Sequence, residues 1–236
     1  ASREGGGKAP PLVVLDIRNE IEHKIGRFPT AVSPEMRVTS EFKAWADANM
    51  EGLRGKKVLM YCTGGVRCEK ASAYLRQQGL EDVNQLSGGI HRYLEAFPDS
   101  GLFQGKNFVF DARVTMTAEA APQHQVVGRC EECSTPWDQV RAGDLCCVCR
   151  AVLLICPTCR DALAELHCKD HRHLKDCYFW FLDVFTPDQL RSQAVALEAL
   201  LHGSTGPANA TQGRRRTLRR QLDRIAARLK ALENGA

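Results

Sequence analysis

The stretch KKVLMYCTGGVRCEKASAYLRQQG (Lys56–Gly79) joins a short apolar run to a helical pattern through a loop that carries two glycines. The apolar run predicts a buried strand, and the segment after Cys68 predicts a helix that ends near Gly79. A loop between a strand and a helix N-terminus directs backbone N–H groups at one point, where they favour an anion. A cysteine at the start of such a loop, Cys62, would have its thiolate stabilised. It is therefore the first candidate for a nucleophile.

Apolar runs and helical patterns alternate on both sides of this stretch, over residues 12–92. PLVVLDIR (11–18) predicts a strand, and SEFKAWADANMEGL (40–53) predicts a helix that begins at Ser40. VNQLSGGI (83–90) predicts another strand followed by a turn. This alternation predicts an α/β fold, in which a parallel sheet has helices on both faces. Cys62 would then lie at the carboxyl ends of the strands, where such folds place their ligands.

Composition excludes some classes of protein. The chain has 236 residues, of which 25% are charged and 44% apolar, and a formal net charge of +4. No stretch approaches the roughly 18 consecutive apolar residues of a membrane span, so no membrane partner is expected. The net charge is too small to indicate a nucleic-acid partner by itself, although the C-terminal segment is locally very basic.

The cysteines indicate metal binding. Nine of the eleven lie between Cys130 and Cys177, mostly in C-x-x-C pairs. That spacing favours metal over a disulfide framework, and it predicts an intracellular, reducing compartment such as the cytoplasm or an organelle matrix or stroma. Four pairs supply eight ligands for two structural zinc ions: Cys130 and Cys133, Cys146 and Cys149, Cys156 and Cys159, Cys168 and His171. Cys147 is an alternative to Cys146, and His173 or Cys177 to His171. The pairs could share ions sequentially or in an interleaved, cross-brace order.

The C-terminal segment predicts two helices. Thr186-Pro187-Asp188-Gln189 has the pattern of a capping box with proline in the first turn. Leucines then recur at alternating three- and four-residue steps in both helices, which predicts a helical hairpin or a homodimer contact. Arginines follow the last helix away from its leucines and could contact RNA phosphates, although a solvated helix face is the other interpretation. The candidate RNA contacts are Lys106, Arg113, Arg214, Arg215 and Arg219.

Three segments resemble rhodanese domains, over about residues 12–97: LDIRNEIEHKIGRFPTAV, YCTGGVRCEKASAYL and LSGGIHRYL. The resemblance implies a rhodanese-like fold in which Cys62 carries a persulfide taken from a donor such as thiosulfate. Cys68 stands where many rhodaneses have serine, and it could resolve a disulfide, carry the thiolate itself or cap the helix. The same resemblance assigns the anion loop to Thr63, Gly64, Gly65 and Val66, added positive charge to Arg67, and structural support to Asp16, Arg18 and Glu22.

A narrower resemblance comes from CTGGVRCEKAS, then GKNFVFDARV, then the Cys-rich module. Together they resemble the tRNA uridine hydroxylase family and its eukaryotic rhodanese-containing relatives. This implies tRNA as a partner, uridine hydroxylation as an activity, and a further domain before the rhodanese domain. The predicted organisation is a flexible linker (1–11), the rhodanese-like domain with its exit arm (12–114), a connector (115–129), the Cys-rich zinc module (130–185) and the helical tail (186–236).

Three other functions remain open. A rhodanese domain can be a catalytically silent binding module, although the intact Cys62 and Arg67 argue against that here. A cross-brace zinc domain could recruit a ubiquitin-conjugating enzyme. A rhodanese-fold phosphatase generally has a loop one residue longer, so the four residues from Thr63 to Val66 favour sulfur over phosphate.

Overall fold

The computed structural model describes residues 10–109, 115–116, 125–163, 165–172, 182–202 and 212–234. The chain divides into two compact units, residues 1–128 and 129–236. Among the described residues, no helix has the length and apolar character that a bilayer span requires.

The first unit is built on a parallel sheet. Strand β1 (Leu12–Asp16) pairs with β3 (Lys57–Tyr61), and β3 pairs with β4 (Val83–Gln85), in the order β1-β3-β4. Four helices accompany the sheet: α1 (Glu20–Ile25), α2 (Phe42–Leu53), α3 (Val66–Gln77) and α4 (Gly89–Ala96). The predicted helix at 40–53 begins as a 3-10 turn, Thr39–Glu41, before α2.

Alternating strand residues place apolar side chains on both faces of this sheet. On one face Leu15, Val58 and Met60 pack with the buried residues of α2 and α3. On the other face Tyr61 packs with Ile90 of α4 and with Phe103. The predicted parallel sheet with helices on both faces is confirmed, and it puts the end of β3 between the two apolar layers.

Short strands close the first unit. Strand β2 (Gly26–Arg27) pairs antiparallel with β5 (Gln104–Gly105), and β6 (Asn107–Phe108) pairs antiparallel with β7 (Thr115–Met116). A Cβ on Gly26 would lie 2.2 Å from the Lys106 carbonyl oxygen, and a Cβ on Gly105 would lie 2.3 Å from the Ile25 carbonyl oxygen. This close approach is a physical reason for glycine at the start of GKNFVFD.

The second unit combines the cysteines with the helical tail. Helix α5 (Pro157–Ala162) is followed by α6 (Pro187–His202) and α7 (Gln212–Asn234). One apolar cluster contains Leu153 and Ile155 of the Cys-rich region, together with leucines of both tail helices. The apolar residues that recur along the two tail helices are here called the leucine seam. Four of them are at most 1% exposed: Leu190, Leu197, Leu218 and Ile225.

The tail forms the predicted helical hairpin, and its leucine seam is covered within the chain. The homodimer contact predicted for the same seam therefore gains no support. The predicted capping box is present at the start of α6. The Thr186 backbone N–H donates to Gln189 Oε1 over 2.9 Å, and the Gln189 N–H donates to Thr186 Oγ1 over 3.3 Å.

Candidate active site and metal centres

Cys62 follows directly on β3, at the carboxyl end of the central strand. The loop after it turns at Gly65, whose φ of +95° is a left-handed conformation that glycine adopts without strain. Helix α3 then begins at Val66, so its N-terminus faces back toward the cysteine. The Gly65 N–H donates to Cys62 Sγ over 3.1 Å. The predicted strand–loop–helix arrangement thus brings loop N–H groups onto the Cys62 sulfur.

The thiolate of Cys62 is stabilised by its surroundings. A hydrogen bond from the Cys68 thiol and backbone N–H donation from Cys68, Gly65 and Arg67 outweigh the opposing effect of burial and lower the pKa of Cys62 from 9.0 to about 5. The same thiol–thiolate hydrogen bond raises the pKa of Cys68 far above its ordinary value. These opposite pKa shifts favour a thiolate on Cys62 rather than on Cys68, and they make Cys68 a hydrogen-bond donor, a role beyond the three considered from the sequence.

Both cysteines are buried, with Cys62 1% and Cys68 0% exposed. Thr63 and Gly65 of the anion loop are half-buried, while Gly64 and Val66 are exposed. Access of a sulfur donor to Cys62 is therefore restricted by the residues that bury it.

Arg67, in the first turn of α3, forms an ion pair with Glu22 of α1. Its guanidinium donates to both carboxylate oxygens of Glu22, over 2.6 and 2.9 Å, and to Thr63 Oγ1 over 2.8 Å. The Thr63 hydroxyl in turn donates to Glu22 Oε1 over 3.0 Å. Glu22 is 1% exposed, so this ion pair lies in the interior. Much of the charge expected from Arg67 is balanced by Glu22, and the pair holds the anion loop in place.

Asp16 and Arg18 form a second buried ion pair beside β3. Arg18 donates to both carboxylate oxygens of Asp16 over 2.8 and 2.7 Å and to the Gly26 carbonyl over 2.5 Å. Asp16 also accepts hydrogen bonds from the Tyr61 hydroxyl and the His23 ring, each over 2.8 Å. Despite the opposing effect of burial, the Arg18 charge and these hydrogen bonds hold the pKa of Asp16 well below its usual range. Since Tyr61 precedes Cys62, this network fixes the strand end that carries the thiol.

The start of α4 supports the loop from the other side. The N–H groups of Ile90 and His91 donate to the carbonyls of Cys62 and Thr63, each over 3.0 Å. Gly89, the residue before Ile90, has φ +65°, and a Cβ there would be 2.5 Å from the Cys62 carbonyl oxygen. Sequence reasoning missed Gly89 and Tyr61 as site residues. The GG dipeptide of LSGGIHRYL was the signal that could have revealed Gly89.

The second unit brings the cysteine pairs together in two sets. Cys130, Cys133, Cys156 and Cys159 form one set, and Cys146, Cys149, Cys168 and His171 form the other. The first pair thus joins the third, and the second joins the fourth, which is the interleaved order. Cys147 belongs to neither set, while His173 and Cys177 lie outside the described residues.

The separations within each set fit a tetrahedral metal. Cys133 and Cys156 Sγ are 3.6 Å apart, Cys149 and Cys168 Sγ are 3.7 Å apart, and Cys168 Sγ lies 3.1 Å from His171 Nδ1. Bonds of about 2.0–2.3 Å to one tetrahedral ion separate neighbouring ligand atoms by roughly 3.3–3.8 Å. Both sets therefore could hold metal ions, and their four protein ligands would fill the coordination sphere.

Two of the C-x-x-C pairs have the same local backbone geometry. Ser134 and Arg150, each directly after the second cysteine of a pair, adopt left-handed φ values of 62° and 63°. Their N–H groups donate to the carbonyls of Cys130 and Cys146, each over 2.9 Å. Two equal turns thus present the sulfurs of the C-x-x-C pairs to one side.

The predicted RNA contacts are only partly described. Arg215 and Arg219 are exposed on α7, and Lys106 is half-buried. Arg113 and the side chain of Arg214 lie outside the described residues. The role of the described three stays a prediction.

Two protein families match the chain in sequence. The Rhodanese-like domain family matches residues 4–96, and the Rhodanase C-terminal family matches residues 104–173. The chain therefore contains a rhodanese-like domain, and its two cysteine sets lie in the region that matches the Rhodanase C-terminal family. The predicted resemblance to rhodanese domains and to the tRNA uridine hydroxylases is confirmed by these matches and by the curated relatives.

Among the relatives, rhodanese-like domain-containing protein 6 of Arabidopsis thaliana is 44% identical over 67% of this chain and 28% of its own length. The tRNA uridine(34) hydroxylase of Mesorhizobium japonicum is 43% identical over 66% of this chain and 49% of its own length. The enzyme of the same name from Deinococcus radiodurans is 48% identical over 45% of this chain and 36% of its own length. The chain spans at most about half the length of these relatives.

Proposed function

We propose that this chain is the cysteine-bearing part of a tRNA uridine-modifying protein and that Cys62 is its nucleophile. The observation that carries the proposal is the environment of Cys62 Sγ, which accepts hydrogen bonds from the loop N–H groups and the Cys68 thiol and has its pKa lowered to about 5. Near neutral pH such a cysteine is a thiolate, the form that attacks sulfur. The names of the bacterial relatives supply tRNA as the substrate class.

The chemistry that these residues support is sulfur transfer. The Cys62 thiolate attacks the outer, sulfane sulfur of a donor such as thiosulfate. A new sulfur–sulfur bond forms to Cys62, the sulfur–sulfur bond of the donor breaks, and sulfite leaves with the electron pair. The terminal sulfur of the persulfide carries the negative charge, and the N–H groups at the start of α3 stabilise it. Uridine hydroxylation enters the proposal only through the names of the relatives, and it would require an oxidant in addition to these residues.

We assign structural zinc to the two four-ligand sets, because thiolate-rich tetrahedral ligand sets are typical of that ion. Zinc bound there would stabilise a module with a small apolar core of its own. No disulfide joins any of the described cysteines, which fits a reducing compartment.

The proposal is tested by intact mass after incubation with thiosulfate, for wild type, Cys62→Ser and Cys68→Ser. We expect one reducible sulfur on wild type and on Cys68→Ser, and none on Cys62→Ser. The same variants are then compared for modification of tRNA in the full-length protein. If no variant gains sulfur, persulfide chemistry is refuted; if only Cys68→Ser lacks it, the nucleophile has been misassigned.

A second candidate is favoured by the interleaved order of the ligand pairs, which is the arrangement of cross-brace zinc domains. Such a module would recruit a protein partner, of which a ubiquitin-conjugating enzyme is the one predicted from the spacing. Discharge of ubiquitin from a charged conjugating enzyme by the purified chain would support this function. Absence of discharge would reject that partner while leaving the Cys62 proposal intact.

A further inference from the structure

A third group of metal-ligand side chains lies in the second unit, apart from the two four-ligand sets. It consists of Cys147, Glu165 and His167. Cys147 Sγ is 3.1 Å from His167 Nε2 and 3.8 Å from Glu165 Oε2, and the His167 and Glu165 atoms are 3.9 Å apart. A thiol, an imidazole nitrogen and a carboxylate oxygen thus converge on one point.

The backbone holds these residues together. The Cys147 N–H donates to the Leu166 carbonyl over 2.8 Å, which places Cys147 opposite the residue between Glu165 and His167. The Leu166 side chain packs in the apolar cluster of the second unit. The side chains of Glu165 and His167 are each 2% exposed, whereas Cys147 is half-buried. Two ionisable groups are therefore kept from solvent, and the thiol borders it.

The separations match those of the two complete sets. The sulfur–nitrogen distance of 3.1 Å equals the one between Cys168 and His171. Of the other two distances, 3.8 Å is at the upper limit of the roughly 3.3–3.8 Å expected around a tetrahedral ion, and 3.9 Å is slightly above it. No residue here needs a large movement to reach a common metal.

Charge also favours an ion at this point. A divalent cation would balance the negative charges of a buried carboxylate and a thiolate. A divalent ion bound to a thiolate, a carboxylate and a neutral imidazole gives a complex with no net charge. Borderline ions such as Zn²⁺ accept all three ligand types, and three protein ligands with a free fourth position are typical of reactive rather than structural zinc.

We propose that Cys147, Glu165 and His167 bind a third divalent transition-metal ion, of which zinc fits the ligands best, with its fourth position open to water or a small ligand. The half-buried Cys147 gives that position access to solvent. This site is independent of the function assigned to Cys62. It also explains the adjacent cysteines Cys146 and Cys147, since each would serve a different ion.

The test is the metal content of the whole chain, purified from zinc-containing medium without chelators and measured by inductively coupled plasma mass spectrometry. We expect three zinc ions per chain for wild type and two for Cys147→Ser and for Glu165→Gln. Cys68→Ser, which also removes one thiol but lies in the other unit, is the matched control and should retain three. Cadmium-113 NMR of the cadmium-loaded chain should show three resonances, of which these two variants lose the same one.

Persistence of the other two cadmium resonances shows that the variants keep their fold. A wild-type content of two ions would overturn the proposal and leave Cys147 and His167 as a hydrogen-bonded pair. A content of three that neither variant lowers would also overturn it, because the third ion would then lie elsewhere.

Discussion

Glu22 Oε2 lies 2.6 Å from Arg67 Nη1, and this contact joins α1 to the first turn of α3 across 45 residues of sequence. Both oxygens of the carboxylate are engaged by the guanidinium, and one of them also accepts from Thr63. The pair therefore has two consequences for Cys62. It fixes the position of the anion loop, and it reduces the positive electrostatic effect of Arg67 on the Cys62 sulfur.

Glu22→Gln should separate these two consequences. Loss of the buried carboxylate leaves Arg67 without its charge partner. Removing one partner of a buried ion pair costs about 3–5 kcal/mol of unfolding free energy. We expect the lower value, about 3 kcal/mol, because the Arg67 side chain is 16% exposed. The unbalanced guanidinium should at the same time lower the pKa of Cys62 further. Urea unfolding measures the first effect, and the pH dependence of Cys62 alkylation measures the second.

The matched control for that variant is Glu20→Gln, which removes a carboxylate from the same helix. Glu20 pairs with Lys24 at 2.9 Å in a partly exposed i, i+4 arrangement. Its loss should cost at most about 0.5 kcal/mol and leave Cys62 unchanged. Equal effects of the two variants would argue against a specific role of the Glu22–Arg67 pair.

The lowered pKa of Cys62 predicts how its reactivity depends on pH. Alkylation of Cys62 by iodoacetamide, located by peptide mapping, should be independent of pH above about 6 and should fall as pH drops through about 5. In Cys68→Ala the thiol donor is absent, so the pKa should rise and the alkylation profile should shift to higher pH. An unchanged profile in Cys68→Ala would contradict the assignment of Cys68 as the principal donor.

The same shift links folding to pH. Because the folded pKa lies below the ordinary 9.0, the thiolate stabilises the fold most fully above pH 9. That contribution is lost as pH falls through about 5. The stability difference between wild type and Cys62→Ser should therefore shrink between pH 9 and pH 5, a trend opposite to that of a group with a raised pKa.

Gly89→Ala should disturb the site without touching a reactive group. The new Cβ would meet the Cys62 carbonyl at 2.5 Å, and φ of +65° adds backbone strain of about 1–3 kcal/mol. Gly52→Ala is the control, for which we expect the opposite change in stability. Gly52 lies in α2 with nothing within 4 Å of its Cβ position, so alanine there should stabilise the chain by about 0.5–1 kcal/mol. Thermal unfolding should show a lower midpoint temperature for Gly89→Ala and a higher one for Gly52→Ala.

The sequence predicted those parts of the site that depend on neighbours in the chain. Cys62, its loop and the helix after it are contiguous, and each C-x-x-C pair is set by a local turn. The partners of Arg67 and Asp16 could not be derived from spacing, because Glu22 and Tyr61 each lie 45 residues from the group they bind. Interleaving of the cysteine pairs likewise depends on how distant turns pack. The group of Cys147, Glu165 and His167 has no C-x-x-C spacing and escaped notice for that reason.

Metal removal should unfold the two units unequally. The tail leucines Leu190 and Leu218 belong to the same apolar cluster as Cys146 and Cys168, so chelation should remove protection from α6 and α7. The core around Leu15 and Leu75 contains no described metal ligand and should keep its protection. Amide hydrogen exchange with and without a chelator, followed by mass spectrometry, measures the protection of the tail helices and of the core of the first unit. Loss of protection in α3 together with α7 would show that folding of the first unit depends on the metal.

The exposed arginines of α7 give a prediction for nucleic-acid binding. Within the described part of the chain, neither Arg215 nor Arg219 forms an ion pair, whereas Arg191 on α6 contacts Asp188 at 2.9 Å. If the two α7 arginines contact phosphates, Arg215→Gln with Arg219→Gln should weaken tRNA binding and lower the slope of log affinity against log salt by about 2. Arg191→Gln also removes one surface arginine of the hairpin, but it should change that slope by less than about 0.5, because its charge already has a partner.

Fluorescence anisotropy with tRNA at several salt concentrations gives both slopes. A double variant that binds with the wild-type slope would assign these arginines to a solvated helix face, and RNA recognition would then have to lie elsewhere in the full-length protein. A reduced slope for tRNA but not for heparin would show that the arginine positions match an RNA backbone rather than any polyanion. In that case α7 and the Cys62 loop would be two parts of one tRNA-modifying function.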